Sequence, residues 1–150
     1  MKILDCYIDK NYYEGIKCEG TNKYIEIAYN RLSNNNLSGE AGKSAILLYT
    51  TKFSVVTLNY IHADKEQYDY AIAEDGESNN NIIKRNLMNG FKVDAVKIVG
   101  DKTLCDRKIY ETLPSWVPAF FMNEPIIYYD GSYYYLAVWD GSKWRKVQLS

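Results

Sequence analysis

The stretch that most constrains this chain is its last, PIIYYDGSYYYLAVWDGSKWRKVQL, residues 125 to 149. Asp130-Gly131 and Asp140-Gly141 stand between runs of aromatic and β-branched residues. That pattern is a strong hairpin signal, because a two-residue type I′ turn needs positive φ at both central positions. With each pair as the loop, three antiparallel strands follow. Tyr129 then faces Ser132, Tyr128 faces Tyr133 and Ile127 faces Tyr134; Trp139 faces Ser142, Ala137 faces Trp144 and Tyr135 faces Lys146.

Side chains alternate between the faces of a strand. One face collects Ile127, Tyr129, Tyr134, Leu136, Val138, Val147 and Leu149, with Lys143 and Arg145 at an edge, and reads as core. The other collects Ile126, Tyr128, Tyr133, Tyr135, Ala137, Trp139, Trp144, Lys146 and Gln148. This second face is aromatic and amphipathic, and tyrosine and tryptophan concentrate in the cores of protein interfaces. It therefore supplies the candidate binding residues Tyr128, Tyr133, Tyr135, Trp139, Trp144 and Lys146. The competing reading has helices covering this face, which would make it core.

Upstream, Ile3–Ile8, Lys23–Tyr29, Gln67–Ala73 and Phe91–Val99 alternate apolar and polar residues, as half-buried strands do. Ser44–Tyr49 and Phe53–Ile61 are further strands, joined as a hairpin at Thr50-Thr51-Lys52. Helices are fewer. Ile82, Ile83, Leu87 and Met88 sit at helical spacing after the cap residues Ser78–Asn81 and before Gly90. Asp106–Leu113 and Ser115–Met122 read as two more short helices, with Pro114 and Pro118 as punctuation. No internal repeat is evident. The sequence thus predicts a single α+β domain, residues 1–150, mainly antiparallel β with a C-terminal three-stranded meander and two or three short helices.

Composition narrows the function by exclusion. A net charge of −1 provides no field for nucleic acid or anionic lipid. Three scattered cysteines without a CxxC argue against a disulfide framework or a structural zinc site. An aspartate interrupts the apolar stretch that a signal peptide would need near the N-terminus, and no apolar run is long enough to span a bilayer. The expectation is a soluble, cytoplasmic chain.

The segment GEAGKS, residues 39 to 44, nearly spells a phosphate loop, but Leu37 occupies the position that the motif gives to its first glycine. The β-branched run after Lys43 reads as a strand, which leaves no helix N-terminus to receive an anion. Lys43 is kept only as a candidate contact for a phosphate or an acidic partner. His62 is the sole histidine, which removes most histidine-based catalysis. The acidic set from Asp69 to Glu77 lacks calcium-loop spacing, and no cofactor or metal is implied.

By elimination the sequence points to a non-enzymatic binding protein that occludes a partner or sequesters a ligand. A phage or mobile-element inhibitor of a host defence system is one such type. A protein partner is favoured. The alternative is a nucleotide or small-molecule module with an aromatic and basic pocket. An enzyme using His62 with a carboxylate ranks third. Nucleic acid is disfavoured, a membrane is not expected, and homo-oligomerisation stays open.

Overall fold

Ile3 to Ile8 reads as one strand, yet the backbone turns at Asp5, whose φ is 53°. The corner recurs at Tyr29 (59°), Leu58 (55°) and Arg85 (54°). In this computed structural model, which describes residues 1–106, 109–110 and 125–149, such corners divide the first part of the chain into short strands. They are β1 (Lys2–Leu4), β2 (Tyr7–Asp9), β3 (Ile16–Glu19), β4 (Glu26–Ala28), β5 (Arg31–Ser33), β6 (Ser44–Tyr49), β7 (Val55–Thr57), β8 (Tyr60–His62), β9 (Tyr68–Asp75), β10 (Ile82–Lys84), β11 (Leu87–Met88) and β12 (Phe91–Lys97).

Every third strand pairs in parallel. β1, β4, β7 and β10 stack in that order, as do β2, β5, β8 and β11, and β3, β6, β9 and β12. Three parallel sheets built from successive coils make a β-solenoid. The chain divides into two compact units, Met1–Thr103 and Leu104–Ser150, and the solenoid is the first.

This overturns the α+β expectation. No described residue is helical, and no helix is long and apolar enough to cross a membrane among the described residues. The predicted helix after Ser78 is β10 and β11. Its spacing misleads because the corner at Arg85 shifts the phase of alternation: Ile82, Ile83 and Met88 are buried while Leu87, four residues after Ile83, is exposed. The predicted helix over Asp106–Leu113 meets a strand at Ile109–Tyr110, and Ser115–Met122 lies outside the described residues. The expected hairpin at Thr50-Thr51-Lys52 is a corner, since β6 pairs in parallel with β3 and β9 while β7 pairs with β4 and β10.

A repeat does exist. The motif is apolar-x-x-Asn-x-apolar, as Ile27…Asn30…Leu32, Val56…Asn59…Ile61 and Ile83…Asn86…Met88. Cys6 takes the asparagine position between Ile3 and Ile8, and the successive positions lie 24, 29 and 27 residues apart. The apolar members form the core: Ile27, Val56 and Ile83 stack in register and are fully buried, as are Leu32 and Ile61. Each such burial stabilises the fold by about 1.5–3 kcal/mol.

The asparagines satisfy the corners. Both the backbone N–H and the side-chain amide of Asn30 donate to Asn59 Oδ1 at 3.0 Å, and Asn59 donates to Asn86 Oδ1 in the same way. Each amide also reaches back to a backbone carbonyl, Asn30 to Ile3, Asn59 to Ile27 and Asn86 to Val56. A left-handed non-glycine residue costs roughly 1–2 kcal/mol. The ladder over-determines these corners and offsets that cost.

One buried acid continues the third sheet's core. Glu74 is fully buried and accepts from Asn81 Nδ2 (2.8 Å), Thr103 Oγ1 (2.7 Å), Val99 N (3.2 Å) and Gly100 N (3.1 Å). Four donors offset the loss of water around a carboxylate.

The second unit contains β13 (Leu104–Cys105), β14 (Ile109–Tyr110), β15 (Pro125–Tyr129), β16 (Tyr134–Trp139) and β17 (Trp144–Gln148). β15, β16 and β17 form an antiparallel meander, and β14 joins β15 in parallel. The loops differ from expectation by one residue. Gly131 and Gly141 have φ of 97° and 98°, neither Ser132 nor Ser142 has positive φ, and Asp130 and Asp140 donate their N–H to Tyr133 O and Lys143 O. The tight loops are therefore Gly131-Ser132 and Gly141-Ser142, with positive φ at the first position only, as in a type II′ turn. The Asp130 carboxylate accepts from the N–H groups of Ser132 and Tyr133, which fixes the aspartate outside the loop. The observed pairs are Tyr129 with Tyr134, Tyr128 with Tyr135, and Trp139 with Trp144.

Candidate functional site

The register moves by two, so the division into faces survives, but burial is not divided between them as expected. On the face expected to be core, Ile127, Leu136 and Val147 are cross-strand partners exposed to 38%, 40% and 67%, and Tyr134 and Leu149 are exposed as well. On the aromatic face Ile126 and Ala137 are buried to 1% and 0%, and Tyr128, Tyr135, Trp139 and Trp144 are half-buried. Tyrosine and tryptophan rings carry more apolar area than the aliphatic side chains opposite them, which favours burying the face that holds them.

The aromatic residues do come together. Tyr128 and Tyr135 pack with ring centroids 5.8 Å apart, and Lys146 Nζ stands over both rings at 5.0 and 5.3 Å. Trp139 and Trp144 meet edge to face at 5.7 Å. Tyr133 is exposed at the first loop. The backbone N–H groups of Tyr133 and Ser132, with a smaller contribution from the Tyr135 hydroxyl, hold the Asp130 carboxyl below the usual carboxylate range, and Asp130 in turn holds the Tyr135 hydroxyl above its own. Arg145 Nε binds Asp140 at 2.6 Å, and the Asp140 carboxyl is likewise strongly lowered, chiefly by the N–H groups of Lys143 and Ser142.

Lys43 belongs to the first unit. GEAGK forms turns ahead of β6, Gly42 has φ 80°, and its N–H donates to Asp69. Lys43 Nζ is 3.5 Å from Glu14 and 3.8 Å from Glu40 and stands 4.6 Å from the centre of the Tyr13 ring. Two carboxylates thus compete with any anion for this amine.

His62 lies at the end of β8, stacked on Tyr60 with ring centroids 6.0 Å apart. Its Nε2 is 2.9 Å from Asp64 Oδ1 and its Nδ1 2.7 Å from Asn89 Oδ1. Hydrogen bonding to Asp64, then to Asn89, raises the His62 pKa above its ordinary value, and Asp64 is lowered in return. Two acceptors suit a doubly protonated ring, which has no lone pair to act as a base. Among the described residues no group of three or more His, Cys, Asp or Glu side chains is placed to hold a metal ion.

The sequence did not single out the outward face of the second sheet. Tyr7, Arg31 and Tyr60 occupy successive rungs of β2, β5 and β8, and the Arg31 guanidinium carbon lies 5.5 Å from one ring centroid and 5.6 Å from the other. Their common position, the residue before the inward Ile8, Leu32 and Ile61, becomes visible only once the repeat is in frame. The chain matches no protein-family model, no curated protein and no solved structure.

Proposed function

We propose that this is a non-catalytic binding protein that covers a surface of a protein partner, with the C-terminal meander as its recognition element. The exposed row Ile127–Leu136–Val147 carries the reading, extended by Tyr134 and Leu149 on the same face. An antiparallel sheet of this kind normally buries its apolar face, and a contiguous exposed apolar patch marks an interaction site. Strand Leu136 at the centre and Lys143 and Arg145 at the edge give the apolar middle and polar rim of a protein interface. The occupied nitrogens of His62 weigh against the histidine-based enzyme.

The test compares wild type with a Leu136→Asp, Val147→Asp double variant as baits, with native mass spectrometry of what each retains. Both positions are exposed, so the variant should melt near the wild type. A protein retained by the wild type and lost from the variant supports the reading; equal retention removes the meander from it. The second reading, a small-molecule module, is favoured by Lys146 standing over two tyrosines. It requires a co-purifying ligand that disappears with Lys146→Ala.

A further inference from the structure

Arg31 differs from the ion-paired lysines of the solenoid. Lys2 pairs with Glu26, Lys43 with Glu14 and Glu40, Lys52 with Glu77, and Lys97 with Asp75. Among the described residues no carboxylate lies within ion-pair distance of Arg31, which is exposed and flanked instead by two tyrosine rings. Asp9 and His62, one step along the same face, are engaged with Lys10 at 3.8 Å and with Asp64 at 2.9 Å.

The rungs of a parallel sheet are about 4.8 Å apart, so tyrosines on either side of an arginine hold its planar head between them. The guanidinium carbon lies within reach of both rings while the side chain stays exposed, so its N–H groups remain open to solvent. A guanidinium edge fits a carboxylate bidentately, and partial desolvation strengthens the pairing. One face of each ring is taken by Arg31, and Tyr60 also stacks beside His62. Between the rings the column therefore offers hydrogen-bond donors.

We propose that the Tyr7–Arg31–Tyr60 column is a recognition site for a carboxylate side chain of a partner protein. The site lies in the solenoid and does not depend on the meander reading. Fluorescence anisotropy with a labelled, capped hexaglutamate peptide at low salt tests it, beside a thymidine oligonucleotide of equal charge. The wild type should bind the peptide, and Arg31→Ala should weaken binding about tenfold or more. Arg31→Lys keeps the charge and the ring contacts and so protects the fold, yet it should also weaken binding markedly, because an ammonium cannot form the bidentate pair. Thermal melts confirm that both variants are folded. The proposal is overturned by absence of peptide binding, by Arg31→Lys binding as well as wild type, or by tighter Arg31-dependent binding of the oligonucleotide.

Discussion

Asn59 shows how a single side chain holds a corner of the solenoid. Its Oδ1 accepts from Asn30 twice, and its amide reaches Ile27 O, Thr57 O and Asn86 Oδ1, all at 2.9 to 3.0 Å. Truncation to Ala removes every one of these and leaves the backbone N–H and one side-chain N–H of Asn30 without their acceptor, while Asn86 Oδ1 keeps the backbone N–H of residue 59. Each such group costs about 1–3 kcal/mol, so Asn59→Ala should lose roughly 3–5 kcal/mol in urea unfolding. A loss below about 1 kcal/mol would mean that the ladder does not hold the corner. His62 gives a residue-scale dependence on pH. Its pKa is raised in the folded state by the hydrogen bond to Asp64, so its contribution is fully present below the unfolded value of about 6.5 and fades as pH rises through the folded value. The melting temperature of wild type should therefore fall more between about pH 6 and 8 than that of His62→Gln. Parallel curves for the two proteins would show that the pair contributes nothing to folding.

At the level of elements, the meander was legible and its loops were nearly so. Choosing Asp130-Gly131 instead of Gly131-Ser132 displaced each loop by one residue and each cross-strand pair by two, and the period-two alternation kept every side chain on its predicted face. Which face is open was not legible, because hydrophobicity alone ranks Ile127 and Val147 as core while Ile126 and Ala137 hold the buried positions. The loop assignment makes its own prediction. Gly131 has φ 97° and nothing within 4 Å of an added Cβ, so Gly131→Ala tests backbone strain without a clash. It should cost about 1–2 kcal/mol, whereas Ser132→Ala, at a position without positive φ, should be nearly neutral in the same melts. Equal effects at the two positions would show that Gly131 carries no left-handed strain in the turn.

The whole-molecule architecture was hidden for a related reason. Corner residues such as Tyr29, Leu58 and Arg85 carry no glycine or proline signal, so the chain reads straight through them. The intervals of 24, 29 and 27 residues are also too uneven for the asparagine repeat to show. A solenoid is quasi-one-dimensional, each coil stabilised by its neighbours. Strands β4 to β9 pair on both sides, whereas β1, β2 and β3 stand at the ends of their sheets and pair on one side only among the described strands. The cores of β1 and β2 reflect this: Ile3 and Ile8 are half-buried, while Ile27, Leu32, Val56 and Ile61 are fully buried. Coil opening should therefore begin at β1 and β2 at a lower free energy than global unfolding. In native-state hydrogen exchange followed by mass spectrometry, peptides covering Lys2–Leu4 and Tyr7–Asp9 should exchange well before those covering Val55–Thr57 and Tyr60–His62. Asn59→Ala should then speed exchange in β7 and β8, because it removes the bonds that join their coil to the next. Uniform protection across residues 1–103, collapsing together in the variant, would show one all-or-none unit instead of coils coupled only to their neighbours.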